Sequence, residues 1–171
     1  DTIYGRDQKC SRYKKTFLMK LMTRKKGPIP PIIVIINILL QFSFDVFIKS
    51  LSFNIKFFVV LGWFLIPISL LTIFVCLFEF RKNKTTFVVF KNPLKLITYG
   101  LYSYSRNPMY LGMLMMLIAI ALILSNIGSI LFAFLFIPIM KHRIILHEEM
   151  MLMDEFPLEY KFYKKNTRRW I

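Results

Sequence analysis

The sequence predicts an all-α, polytopic integral membrane protein: about four transmembrane helices, with a short helical hairpin in the C-terminal half and a cytoplasmic helix beyond it. Three observations carry this. Hydrophobic residues make up 56% of the 171-residue chain and mean hydropathy is +0.54, above the roughly 45–50% apolar usage of soluble domains. The charges sit in blocks between long uncharged runs. Those blocks also alternate in density: nine Lys/Arg precede the first apolar run, two follow it, six follow the second, none the third and seven the fourth. Lys and Arg concentrate in cytoplasmic loops, so this bias places both termini and the 81–107 loop on the cytoplasmic side.

Residues 1–28 form a basic tail. Phe17, Leu18, Leu21 and Met22 suit either a short helix on an anionic leaflet or a solvated segment. So polar a beginning does not read as a cleavable signal peptide, and Gly27-Pro28-Ile29-Pro30-Pro31 breaks any helix before the first span. Two spans occupy 29–80. The first, 31–47, carries one charge, Asp45, close enough to its end to meet water or Lys49. The second, 57–78, is uncharged; at 1.5 Å per residue it covers about 33 Å, enough for a hydrocarbon core of about 30 Å. Pro67 should kink it, with neighbouring helices or the Ser69 and Thr72 hydroxyls satisfying the freed carbonyl.

Residues 81–108 form a cytoplasmic loop, and 109–140 the hairpin. Its arms, 109–124 and 130–140, flank a tight turn at Ser125-Asn126-Ile127-Gly128. Both arms fall short of the roughly 20 residues a straight crossing needs. The hairpin therefore has to extend past the bilayer at its open end, and 141–155 keeps helical character. An aromatic-basic tail closes the chain at 171. It reads as an interfacial belt with snorkelling cations or as a lid over a site.

The net charge of +15 does not point to nucleic acid, because the cations are interrupted by apolar spans. Cys10 and Cys76 make no framework, and no Cys/His cluster has metal spacing, so no metal is expected. Two polar constellations remain. One is the loop before the hairpin: a Tyr99-Gly100 turn, Tyr102, Tyr104 and Arg106. In it Asn107-Pro108 opens the third span, the proline presetting φ and the Asn oxygen placed to accept from free N–H groups. The other is Glu148-Glu149, on the helix leaving the fourth span. The short hairpin makes the two adjacent, on one side of the membrane. Such a pocket, polar and open sideways to lipid, suits a soluble cofactor meeting a lipid-soluble acceptor.

The first constellation reads Gly100-x-Tyr102-x-x-x-Arg106-Asn107-Pro108-x-Tyr110-x-Gly112. The second reads Glu148-Glu149-x-x-Leu152, then Phe156-Pro157-x-x-Tyr160-x-x-Tyr163. Together they resemble the integral membrane methyltransferases related to isoprenylcysteine carboxyl methyltransferase and the phospholipid methyltransferases. The resemblance covers about the last 75 residues. It implies S-adenosylmethionine as cofactor and a membrane-embedded or hydrophobic acceptor. It also implies a cofactor wall of Leu94, Lys95, Leu96, Ile97, Tyr102, Asn107, Pro108, Met109 and Tyr110, with Glu148 opposite. Backbone groups of 94–97 can read an adenine edge, aromatic faces can sit against adenine or a sulfonium, and a carboxylate can accept from an ammonium or ribose hydroxyl.

Methyl transfer from a sulfonium is an in-line displacement, so positioning and water exclusion supply much of the catalysis. No base is assigned to Glu148, Glu149, His142 or His147; His147 reads as a solvated residue on the helix surface. Three departures stand out. The family's substrate-binding arginine falls at Ile144, leaving Arg143, one place off, as the candidate for substrate contact. Pro157 replaces a glycine, and Asn107 stands where animal and fungal enzymes have histidine. Competing readings are an isoprenoid or sterol reductase, whose hairpin region is similar, and a non-catalytic membrane scaffold.

Overall fold

In the computed structural model, the described residues are 29–48, 55–83 and 95–170. The expected basic tail and the segment around Phe17 lie outside them. Among the described residues are helices α1 (Pro30–Phe47), α2 (Lys56–Lys82), α3 (Pro108–Leu124), α4 (Ile127–Met140), α5 (Leu146–Glu155) and α6 (Pro157–Asn166). A 3-10 turn occupies Gly100–Ser103, and a π-helical turn, Lys141–Ile145, joins α4 to α5 without a break. Three stretches are long and apolar enough to cross a membrane: α1, α2 and the continuous Ile127–Glu155 run. The fourth, α3, is a shorter apolar helix.

The largest interface among the described residues, α2 against α3, is built on small side chains. The buried residues of α2 are Gly62, Ser69 and Cys76, one every seven positions and so on one stripe of the helix. Gly112 and Ala119 of α3 face that stripe. A Cβ on Gly62 would lie 2.7 Å from the Ala119 carbonyl oxygen, and one on Gly112 would lie 2.9 Å from Ile73 Cγ1. Lipid offers no hydrophobic drive for helices to associate, so close approach over small residues supplies the packing. Elsewhere on α2, Trp63, Phe64, Leu71, Phe74 and Phe78 face outward. The helix runs through Pro67, but the flanking hydroxyls do not serve the carbonyl the proline frees, that of Trp63. Ser69 donates to Ile66 O at 2.7 Å and Thr72 to Ile68 O at 2.9 Å.

A polar stripe instead joins α1 to α4. Asn37, Gln41 and Asp45 recur every fourth residue, on one face of α1. Asn37 Nδ2 donates to Phe132 O at 2.7 Å, Ser129 Oγ to Gln41 O at 3.3 Å, and Asn126 Nδ2 to Asp45 Oδ1 at 3.2 Å. Asp45 thus finds its partner in the hairpin turn; Lys49 lies outside the described residues. That turn is tighter than the sequence suggested. Ser125 takes a left-handed conformation (φ 51°) that ends α3, and Asn126 Oδ1 accepts from Gly128 N–H at 3.0 Å. The cap lets α4 start at Ile127, three residues earlier than expected.

With α1 against α4, α4 against α3 and α3 against α2, the first two spans flank the hairpin. All three of these contacts are antiparallel. The start of α1, the end of α2, the start of α3 and the end of α4 therefore gather at one end. From Ile127 the helix rises about 27 Å to Ile145, close to the roughly 30 Å of a hydrocarbon core, and α5 carries the same continuous helix on past that length.

Candidate functional site

Three segments meet at that end: the loop 95–107, α5, and the chain through and after α6. Gly100, at φ 64°, lets the loop fold into its 3-10 turn. The turn lays Tyr102 inward, packed with Cys76 and Ile97 and edge-on to Phe80 with ring centroids 5.7 Å apart. Burial pushes the Tyr102 phenol well above its usual range, and the adjacent Cys76 sulfur adds to the shift.

Tyr110 lies one turn into α3, where Pro108 opens the helix at its first position. Its hydroxyl donates to Glu148 Oε1 at 2.7 Å. This bond joins the two sequence constellations, 38 residues apart. Burial pushes the Glu148 carboxyl up to about 7, partly offset by the Tyr110 bond.

Glu149, one residue on, is turned by about 100° into different surroundings. Its carboxylate accepts from Arg106 Nη1 at 3.0 Å, and from Arg169 Nε and Nη2 at 2.8 and 2.9 Å, with Lys164 Nζ at 4.0 Å. Burial raises its pKa, but the Arg169 bonds and the charges of Arg106, Arg169 and Lys164 outweigh burial and hold it below the usual carboxylate range. Arg106 Nη1 also donates to Tyr160 OH at 3.2 Å.

The end of the chain folds back over the loop. Arg106 N–H donates to Arg168 O at 2.9 Å, Asn107 Nδ2 to Arg169 O at 3.0 Å and Ser105 Oγ to the same oxygen at 3.2 Å. Tyr163 OH donates to Tyr102 O at 2.5 Å and Thr167 Oγ1 to Ser103 O at 3.4 Å. Pro157, in place of the family's glycine, opens α6 at its first position, and the Phe156 bend (φ −128°, ψ 61°) turns the chain back.

The expected wall is placed unevenly. Leu94 lies outside the described residues. Lys95 is exposed, its Nζ donating to Asn83 Oδ1 at 3.2 Å. Leu96 and Met109 are half-buried, while Ile97, Tyr102, Pro108 and Tyr110 are buried. Asn107 is the N-cap of α3 but makes no side-chain cap bond; its amide is spent on Arg169 O instead. His147, expected at a solvated surface, is buried on the inner side of α5, which lowers its pKa. Ile144 is fully buried in the apolar core with Met140 and Phe136, whereas Arg143 is exposed. Sequence reasoning assigned no role to Cys76, Arg106, Tyr163 or Arg169. Arg106 and Tyr163 stand inside the two motifs; Cys76 and Arg169 carry no local signal, because their partners lie 20 to 64 residues away.

The sequence profile of the phospholipid methyltransferase family matches residues 57–158. No curated protein matches the chain. Among solved structures, the fold matches a eukaryotic intramembrane Ras methyltransferase, isoprenylcysteine carboxyl methyltransferase, with TM-score 0.63 and 21% identity. The match covers 82% of this chain and 51% of that one, so the chain spans about half the length of that protein.

Proposed function

Since the chain belongs to the phospholipid methyltransferase family, we propose that it transfers a methyl group from S-adenosylmethionine to a membrane-embedded or hydrophobic acceptor, at a site on the cytoplasmic face. The observation that carries this is the Tyr110–Glu148 hydrogen bond, which ties the loop before the hairpin to the helix after it.

The residues present fit the cofactor by their chemistry. Glu148 supplies a carboxylate for an ammonium or for ribose hydroxyls, a charge-assisted bond that is stronger than a neutral one. Tyr102, Tyr110 and the half-buried Met109 supply polarisable faces, and the backbone of 95–97 supplies donors and acceptors for a base edge. When bound, S-adenosylmethionine supplies the activated methyl group. The chain's own part is to hold and to exclude water. Tyr110 fixes the Glu148 carboxylate by donating to one oxygen, leaving the other free to accept. A carboxyl that titrates near 7 loses its proton readily when a cation arrives, so ligand binding favours the charged form of Glu148. Displacement at a sulfonium methyl needs no general base when the acceptor is already an anion.

The test is to incubate membranes containing the protein with methyl-labelled S-adenosylmethionine and to follow the label. Label in a lipid-soluble product, lost in Glu148→Ala, supports the reading. Equal labelling with and without the protein overturns it.

A further inference from the structure

Glu149 is adjacent to the proposed cofactor carboxylate, yet its own oxygens are already taken up by cations of the chain. It joins α5 to Arg106 of the loop and to Arg169 of the terminal strap. Strap and loop meet in a single isolated parallel bridge between Ser105 and Arg168. The turn that carries Tyr102 is itself held from outside, because the Tyr102 carbonyl accepts from Tyr163 and the Ser103 carbonyl from Thr167. Of the wall's side chains, Asn107 is occupied by the Arg169 carbonyl. The loop thus owes its shape to contacts from Tyr163, Thr167, Arg168 and Arg169, and those residues are anchored to the helix bundle by the Glu149 carboxylate together with Trp170, which packs against the apolar core.

We propose that Glu149 is a positioning residue. By clamping Arg106 and Arg169 together it holds the strap on the loop, so that Tyr102 and Tyr110 present one surface with Glu148. Two arginines are well suited to such a clamp, since each guanidinium stays charged at any physiological pH and makes directional bonds. Bidentate contact from Arg169 fixes the strap in register as well as in place. Glu149 touches no ligand; it acts through the strap. This inference rests on the proposed cofactor site, and two independent readouts separate its failure from the failure of that site.

The first readout is hydrogen–deuterium exchange in the ligand-free protein, comparing wild type with Glu149→Gln and with the milder Tyr163→Phe. Segments 100–107 and 163–170 should both exchange faster in Glu149→Gln, by about tenfold or more, while α2 and α3 stay protected. Faster exchange in the strap with an unchanged loop would overturn the inference. The second is calorimetric binding of S-adenosylhomocysteine to wild type, Glu149→Gln, Arg169→Leu and the double variant. Each single substitution should weaken binding roughly tenfold, and the double variant should be no worse than either. Additive losses, or binding as tight as wild type in Glu149→Gln, would overturn the inference, whereas no binding to wild type would overturn the cofactor site alone. A Glu149→Asp variant should recover part of the affinity.

Discussion

Glu148 and Glu149 are consecutive on one helix, and the structure treats them as opposites. Glu148 is half-buried, with a single phenol on its carboxyl, which desolvation pushes up to about 7. Glu149 is buried among Arg106, Arg169 and Lys164 and is held low. One is an under-compensated acid, with capacity left for a cation from outside; the other has its cations already. The rotation of about 100° between neighbouring helical residues is enough to assign one to a ligand and the other to the scaffold. A pair of acidic letters therefore contains two functions, and charge environment separates them.

The comparison can be broken most sharply by truncation. Glu148→Ala should abolish S-adenosylhomocysteine binding, a loss of about 100-fold or more, while leaving the folded protein near wild-type stability. Glu149→Ala should do the reverse in emphasis. Removing one partner of a buried ion pair costs about 3–5 kcal/mol, so its midpoint of thermal unfolding should fall clearly. If the two variants shift stability equally, the division of labour is wrong.

Acid–base behaviour sharpens it further. The folded pKa of Glu148 is raised from 4.5 to about 7. Between those values the folded state binds more protons than the unfolded one, so this carboxyl lowers stability as pH rises through the window. Glu149 is depressed, so its contribution is present above the usual carboxylate range and is lost on acidification. Glu148→Gln should remove the decline between pH 4.5 and 7, and Glu149→Gln should remove part of the loss at acid pH; stability against pH by denaturant titration checks both. Ligand affinity should also climb by up to about tenfold per pH unit as pH approaches 7, and level off above it.

Smaller effects belong to the hairpin's last turn. Ile144→Arg would bury a charge in the apolar core and should destabilise the protein by several kcal/mol. Arg143→Ala, on an exposed position, should change stability by less than about 0.5 kcal/mol and cofactor affinity by less than about twofold.

Much of this architecture was legible in the letters. The uncharged runs marked four helices to within a few residues, because apolar length is what a bilayer demands. The motif pair brought the chain to a membrane methyltransferase family, and the short hairpin put both motifs at one end. Other features were not legible. Gly62, Ser69 and Cys76 form a stripe, but single small residues seven apart look like noise until Gly112 and Ala119 face them. Asn37 and Gln41 gave no warning of a clamp on α4. The Glu149 cluster depends on Arg169, which the sequence offered only as one cation in a basic tail. A hydrogen bond from a side chain to a distant carbonyl, such as Tyr163 to Tyr102, has no periodicity to betray it.

Calorimetric titration of S-adenosylhomocysteine into the purified full chain in a detergent that preserves its fold tests the central claim most directly. Saturable binding at one site, abolished by Glu148→Ala and weakened about tenfold or more by Tyr110→Phe, is the expected result. Absence of binding to a protein shown to be folded, or binding indifferent to both substitutions, would contradict it.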